Sequence, residues 1–140
     1  MKKLIILGGL AVSAALPATA TAERVHNVVS IHADQYFCCT DEVYGSVESA
    51  KAKCEHDRTI RLFHRPAEGA KRGNNGFEAV ESTTTNRRGE YLFQGVAQMK
   101  LAASDFPSGE YFARATRAER GDDVCPRDDS RVIEIQNFTP

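Results

Sequence analysis

Downstream of residue 24 the chain is a succession of short segments in which apolar and polar residues alternate with a period of two. That period belongs to strands that turn one face to a core and the other to solvent. Val43, Gly45 and Val47 alternate with Tyr44, Ser46 and Glu48; Ile60 and Leu62 lie opposite Arg61 and Phe63; and Tyr111, Ala113 and Ala115 point inward while Phe112 points outward. Residues 25–32 are rich in β-branched side chains and predict a first strand, and residues 131–135 predict a last one. Pro66 closes the strand that begins at Thr59. Three threonines, Thr83 to Thr85, precede a turn holding Asn86 and Gly89, and Tyr91 and Phe93 restart the alternation. Threonine favours the extended chain, while asparagine and glycine tolerate the positive φ of a tight turn, so residues 77–93 predict a β-hairpin.

Between these segments, residues 34–41, 49–57, 66–76 and 117–130 read as connections. The stretch 66–76 is basic and rich in Gly and Asn, and 117–130 is charged. Helical periodicity is nearly absent, and only residues 96–103 offer one or two turns. The count comes to about seven strands at the spacing of an all-β sandwich or barrel.

The amino terminus has a different character. Lys2 and Lys3 precede an apolar run over residues 4–16, which Pro17 ends, and small residues at Ala18, Ala20 and Ala22 follow. This predicts a secretory signal peptide over residues 1–22, with A-x-A cleavage before Glu23 and a second candidate site two residues earlier. The apolar run is too short to span a bilayer, so no membrane insertion is expected after cleavage. The remaining 118 residues, 23–140, make one domain, secreted or periplasmic. Its charge is 16 minus 19, or −3, with no basic block, which gives no electrostatic reason to expect nucleic acid as a partner.

All four cysteines, Cys38, Cys39, Cys54 and Cys125, fall in that domain, where an oxidising compartment lets them pair. Three connectivities are open. The favoured bond is Cys54 to Cys125, because closing a loop of about 70 residues removes roughly 4 kcal/mol of chain entropy from the unfolded state. Cys38 and Cys39 then form a second, vicinal pair, remain thiols or link to another chain. The C-x-x-C spacing of a redox site is absent.

Four stretches taken in order carry a family resemblance: Gly45 with Val47; Cys54 with Arg58, Ile60, Leu62 and Phe63; Thr83 and Thr85 with Gly89, Tyr91 and Phe93; and Ser108 and Gly109 with Tyr111 and Ala113. Over roughly residues 42–136 the chain resembles the carboxypeptidase regulatory-like domains of the transthyretin-like (prealbumin-like) superfamily, and small exported bacterial proteins of that type in which a cysteine before the second strand pairs with one in the last loop. The resemblance implies a seven-stranded Greek-key β-sandwich that serves as an accessory or interaction module. The insertion at 97–105, and the first strand with its Cys38–Cys39 pair, depart from the shared pattern.

The chemistry-bearing residues sharpen this little. The hydroxyisourate hydrolases of that superfamily end in Tyr-Arg-Gly-Ser, whereas this chain ends Asn137, Phe138, Thr139, Pro140. Intradiol dioxygenases of a related sandwich hold iron with two Tyr and two His, but alternation already explains Tyr91 and Tyr111 as core residues. His26 and His32 share a strand face yet sit about 20 Å apart, too far to share a metal, and His56 and His64 read as surface or strand-edge histidines. Asp122, Asp123, Asp128 and Asp129 lack the spacing of a calcium loop and read as a solvated loop. No nucleophile elbow, zinc-protease pair, phosphate loop or dinucleotide fingerprint occurs, so no catalytic, metal or cofactor residue is assigned. The expectation is a non-catalytic interaction module with a protein or glycan ligand. The alternatives are a carbohydrate-binding module and a small hydrolase. Tyr36, Phe112, Arg87 and Arg88 are the candidate ligand contacts.

Overall fold

The computed structural model describes residues 25–36, 39–67, 74–94 and 106–137. The expected signal peptide, the helical stretch at 96–103 and Cys38 lie outside the described residues, as do the side chains of Tyr36 and Cys39.

The fold is all-β. Strands β1 (Asn27–Val29), β2 (His32–Tyr36), β3 (Cys39–Ser49) and β6 (Glu90–Phe93) make a first antiparallel sheet. Strands β4 (Thr59–Pro66), β5 (Glu78–Thr84), β7 (Gly109–Ala115), β10 (Asp128–Asp129) and β11 (Ile133–Ile135) make a second. A small ribbon pairs β8 (Ala118–Arg120) with β9 (Asp123–Cys125).

The inward rows meet in one core. Val29, Ile31, Val43, Val47, Tyr91 and Phe93 from the first sheet pack against Ile60, Leu62, Tyr111, Ala113, Ala115 and Ile135 from the second, a sandwich-like arrangement. The positions of β3, β4 and β7 expected to face inward are buried, and Phe63 and Phe112, on the outward rows, are buried as well. Gly45 is required by a close approach: the hydroxyl of Tyr91 donates to the carbonyl of Ser30 across β3, and a Cβ at Gly45 would lie 2.6 Å from that hydroxyl oxygen. Burial pushes the Tyr91 hydroxyl pKa far up, so it remains a proton donor.

Several expectations need correction. The predicted hairpin over 77–93 is a crossing between sheets: β5 pairs with β4, and β6 pairs with β3. The turn itself forms as expected, with Gly89 at φ 76° and the Asn86 side-chain oxygen accepting from the N–H groups of Arg88 and Glu90 at 2.8 and 3.0 Å. A tight turn fixes the chain reversal locally; which neighbours the two strands take is decided by their inward side chains. The expected first strand, 25–32, is interrupted. β1 and β2 lie along the same edge of β3, with Val29 opposite Val47, His32 opposite Tyr44, and the Ser30 N–H donating to Ser46 O between them at 2.9 Å. The expected connection 34–41 is instead largely strand, since β2 and β3 pair antiparallel up to Tyr36 opposite Cys39.

The charged stretch 117–130 is also structured. It holds the β8–β9 ribbon, turning at Gly121 with φ 65°, and then β10. Cys125 ends β9 and bonds Cys54, 71 residues away, with Cα atoms 5.4 Å apart. Both cysteines are fully buried, against Val25 and Ala118. Beside them Arg58, also fully buried, donates to three carbonyls: Cys54 at 2.9 Å, Thr116 at 2.6 Å and Pro126 at 3.0 Å. Three charge-assisted bonds offset much of the cost of burying the guanidinium.

Candidate functional site

Among the described residues, the face of the second sheet that points away from the core gathers aromatic rings and arginines. On β4 that face presents Arg61, Phe63 and Arg65; on β7 it presents Glu110, Phe112 and Arg114. Register puts Phe63 opposite Phe112, and the rings stack with centroids 4.7 Å apart and planes 2° from parallel. Phe77, just before β5, meets Phe112 edge-on at 5.0 Å. Offset-stacked and edge-to-face rings are the arrangements that aromatic quadrupoles favour.

Two arginines brace this cluster. Arg114 lies 4.7 Å over the ring of Phe63 and 5.3 Å from that of Phe112, and Asp129 on β10 holds its guanidinium through two bonds of 2.6 and 2.8 Å. That bidentate pairing pulls the Asp129 carboxyl below the usual range and raises Arg114. Arg65 lies 4.5 Å over Phe77, bonds Glu110 and donates to the carbonyl of Asn75 at 2.9 Å. Cation–π contacts and carboxylate anchors together leave the guanidinium groups little freedom.

Beside the stacked rings opens a cleft of about 300 Å³, at the small end of the range for ligand pockets. Its apolar wall is Phe63, Phe77, Phe112 and Val132. Asn75, Arg114, Asp129 and Ser130 supply its polar atoms. Val132 is 49% exposed at the mouth, between β10 and β11.

Of the sequence-derived candidates whose side chains are described, only Phe112 falls here. It is outward by alternation, yet its neighbours leave it 9% exposed, so it forms the wall of a cleft and no open platform. Arg87 and Arg88 are exposed in the turn before β6, beyond the end of the second sheet where Thr84 pairs with Thr59. Thr59 stands four residues from Phe63, about 13 Å along the strand, so the turn arginines and the cleft are separate. The residues that sequence reasoning missed are Phe77, Arg114, Asp129 and Val132. From sequence Asp129 reads as part of a solvated loop, and only the register of β10 with β7 pairs it with Arg114.

The histidines do not gather. His32 stacks on Tyr44 with centroids 5.6 Å apart, His56 bonds Asp57 at 3.0 Å, and His64 stacks on Tyr111 at 4.5 Å with its Nε2 3.3 Å from the Ser108 carbonyl oxygen. Burial pushes the His64 pKa below its ordinary value. Among the described residues no three His, Cys, Asp or Glu side chains stand close enough to hold a metal ion. Asp123 is drawn into pairs with Lys51 and Lys53, which lower its pKa.

Comparison with protein-family models, with curated proteins and with solved structures finds no match to this chain.

Proposed function

We propose that this chain is an exported, non-catalytic binding module built as a seven-stranded Greek-key β-sandwich, and that its ligand sits in the cleft on the outer face of the second sheet. The observation that carries this reading is the cleft itself: an apolar aromatic wall beside polar groups held rigid by ion pairs, on a sheet already anchored by the core. Ligand sites of that composition bind by shape and a few placed polar contacts. The charged groups that line it, Arg114 and Asp129, are committed to each other, which suits binding better than proton transfer.

The architecture supports the fold part of the proposal. Among the described residues, counting β1 with β2 and β10 with β11 as interrupted strands leaves three strands in the first sheet and four in the second. The chain passes between sheets at β3–β4, β5–β6 and β6–β7. An immunoglobulin-type sandwich differs by keeping its fourth strand with the first, second and fifth. The residues behind the transthyretin-like resemblance, among them Gly45, Ile60, Leu62, Gly89, Tyr91 and Tyr111, occupy core or turn positions, so the resemblance speaks for architecture and leaves activity open. Export is supported by the Lys2–Lys3 start with its apolar run, and by a disulfide that needs an oxidising compartment.

A carbohydrate ligand is the second reading, favoured by three phenylalanines gathered on one sheet face. Glycan and peptide arrays probed with the mature protein and with Val132→Gln test the proposal. Val132 is exposed, so the variant folds normally, and a polar side chain at the mouth should abolish whatever binding the native protein shows. Binding that survives the substitution places the ligand elsewhere.

A further inference from the structure

We infer that the cleft takes a carboxylated saccharide, an oligomer of uronic acid rings, and that Arg61 supplies the charge recognition. The inference rests on the reading of the cleft as the binding site. Register sets Arg61 on β4 directly opposite Arg114 on β7, both on the outer face. Like charges in opposed cross-strand positions, with Cβ atoms about 5 Å apart, destabilise a sheet. Asp129 satisfies Arg114 from the far side. Arg61 is exposed, and no carboxylate among the described residues pairs with it. A neutral residue would serve the strand better, and an anion arriving from outside would relieve the repulsion between the two guanidinium groups.

The position suits a particular kind of anion. Arg61 lies outside the cleft's lining but two residues from Phe63 on the same face, about 7 Å along the strand, at the distance of a group that extends from the cleft over the sheet. A saccharide ring presents C–H groups to that wall and hydroxyls to Asn75 and Ser130. A carboxylate on the ring meets the planar fork of the guanidinium through two parallel bonds. At about 300 Å³ the cleft admits roughly one ring, and the rest of the oligomer runs over the sheet face.

Isothermal titration of the full mature protein with a galacturonic acid oligomer, its methyl ester and a sulfated oligomer tests this. The acid form should bind, and salt should weaken it. Methyl esterification and Arg61→Gln should each weaken binding about tenfold, Arg61→Lys should restore part of the loss, and Val132→Gln should abolish binding. Removing the like charge opposite Arg114 predicts a urea midpoint for Arg61→Gln equal to or slightly above the native one, so weaker binding by that variant does not come from unfolding. Equal affinity for acid and ester, abolished by Val132→Gln, overturns the charge recognition and leaves the cleft as the site. Preference for the sulfated oligomer overturns the carboxylate. Binding indifferent to Val132→Gln overturns both the inference and the cleft, and absence of binding to all three overturns the inference.

Discussion

The guanidinium of Arg58 donates to the carbonyl of Cys54 at 2.9 Å, so a fully buried charge is tied to the residue that also carries the cross-link. Its other two bonds, to Thr116 and Pro126, reach the segment after β7 and the segment after β9. Its own N–H donates to the Thr85 hydroxyl at 2.8 Å, which in turn donates to the Glu55 carbonyl at 2.6 Å. The side chain thereby holds three stretches of backbone at one end of the fold, and the residue's own N–H engages a fourth through Thr85.

Replacing Arg58 with methionine should therefore cost about 3 kcal/mol or more, because three carbonyls around a buried side chain lose their donor. Lysine should rescue little, since an ammonium group lacks the fork that spans three acceptors. Urea midpoints of the two variants check this, and a midpoint for Arg58→Met equal to the native one would refute the role.

The disulfide acts on the same end of the fold. Removing it as the double variant Cys54→Ala, Cys125→Ala frees a loop of 71 residues and should lower stability by about 4 kcal/mol. Unfolding in urea with and without reductant measures it. Native protein in reductant and the double variant should give matching curves.

Two glycines with positive φ should respond differently. At Gly89, φ is 76° and a Cβ would lie 2.4 Å from the Val47 carbonyl oxygen, whose residue already donates its N–H to Gly89 O at 2.8 Å. Gly89→Ala should cost about 2 kcal/mol or more from backbone conformation and collision together. At Gly121, φ is 65° but nothing stands within 4 Å of an added Cβ, so Gly121→Ala should cost only about 1 kcal/mol. The comparison of the two midpoints separates conformation from contact.

Acid should destabilise the protein in two steps. Burial lowers the His64 pKa from 6.5, while the Ser108 carbonyl and the charge of Glu78 partly oppose the shift. The unfolded chain then binds more protons than the native one below about pH 6.5, so stability is full above that value and falls as pH drops toward the lower native pKa. Asp129, held down by its bonds to Arg114, adds stability that is present above its ordinary pKa of 3.8 and is lost at lower pH. Urea midpoints from pH 7.5 to 5 should decline in the native protein and less steeply in His64→Leu.

These positions differ in how plainly the sequence announced them. The inward rows of β3, β4 and β7 were legible because a period of two survives without knowledge of strand neighbours. The Asn86–Gly89 turn was legible for the same local reason. Its strands were assigned to each other wrongly, because Thr83–Thr85 and Tyr91–Phe93 alternate identically whether they pair together or cross between sheets. The β8–β9 ribbon had a signal, Gly121 and Asp122 as a two-residue turn, that the charged composition around it hid. Arg58 had none, since only tertiary structure reveals that a charge at the start of a strand is enclosed. The cleft was half legible: alternation turned Phe112 outward, but the ring partner Phe63 and the Arg114–Asp129 pair follow from register, which one strand's pattern does not contain.

The most direct measurement of the binding claim is a shift map of the isotope-labelled mature protein titrated with the galacturonic acid oligomer. The account predicts perturbations concentrated on Arg61, Asn75, Phe77, Phe112, Ser130 and Val132. Perturbations concentrated instead on Val28, Tyr44 and Leu92, on the outer face of the first sheet, would contradict it.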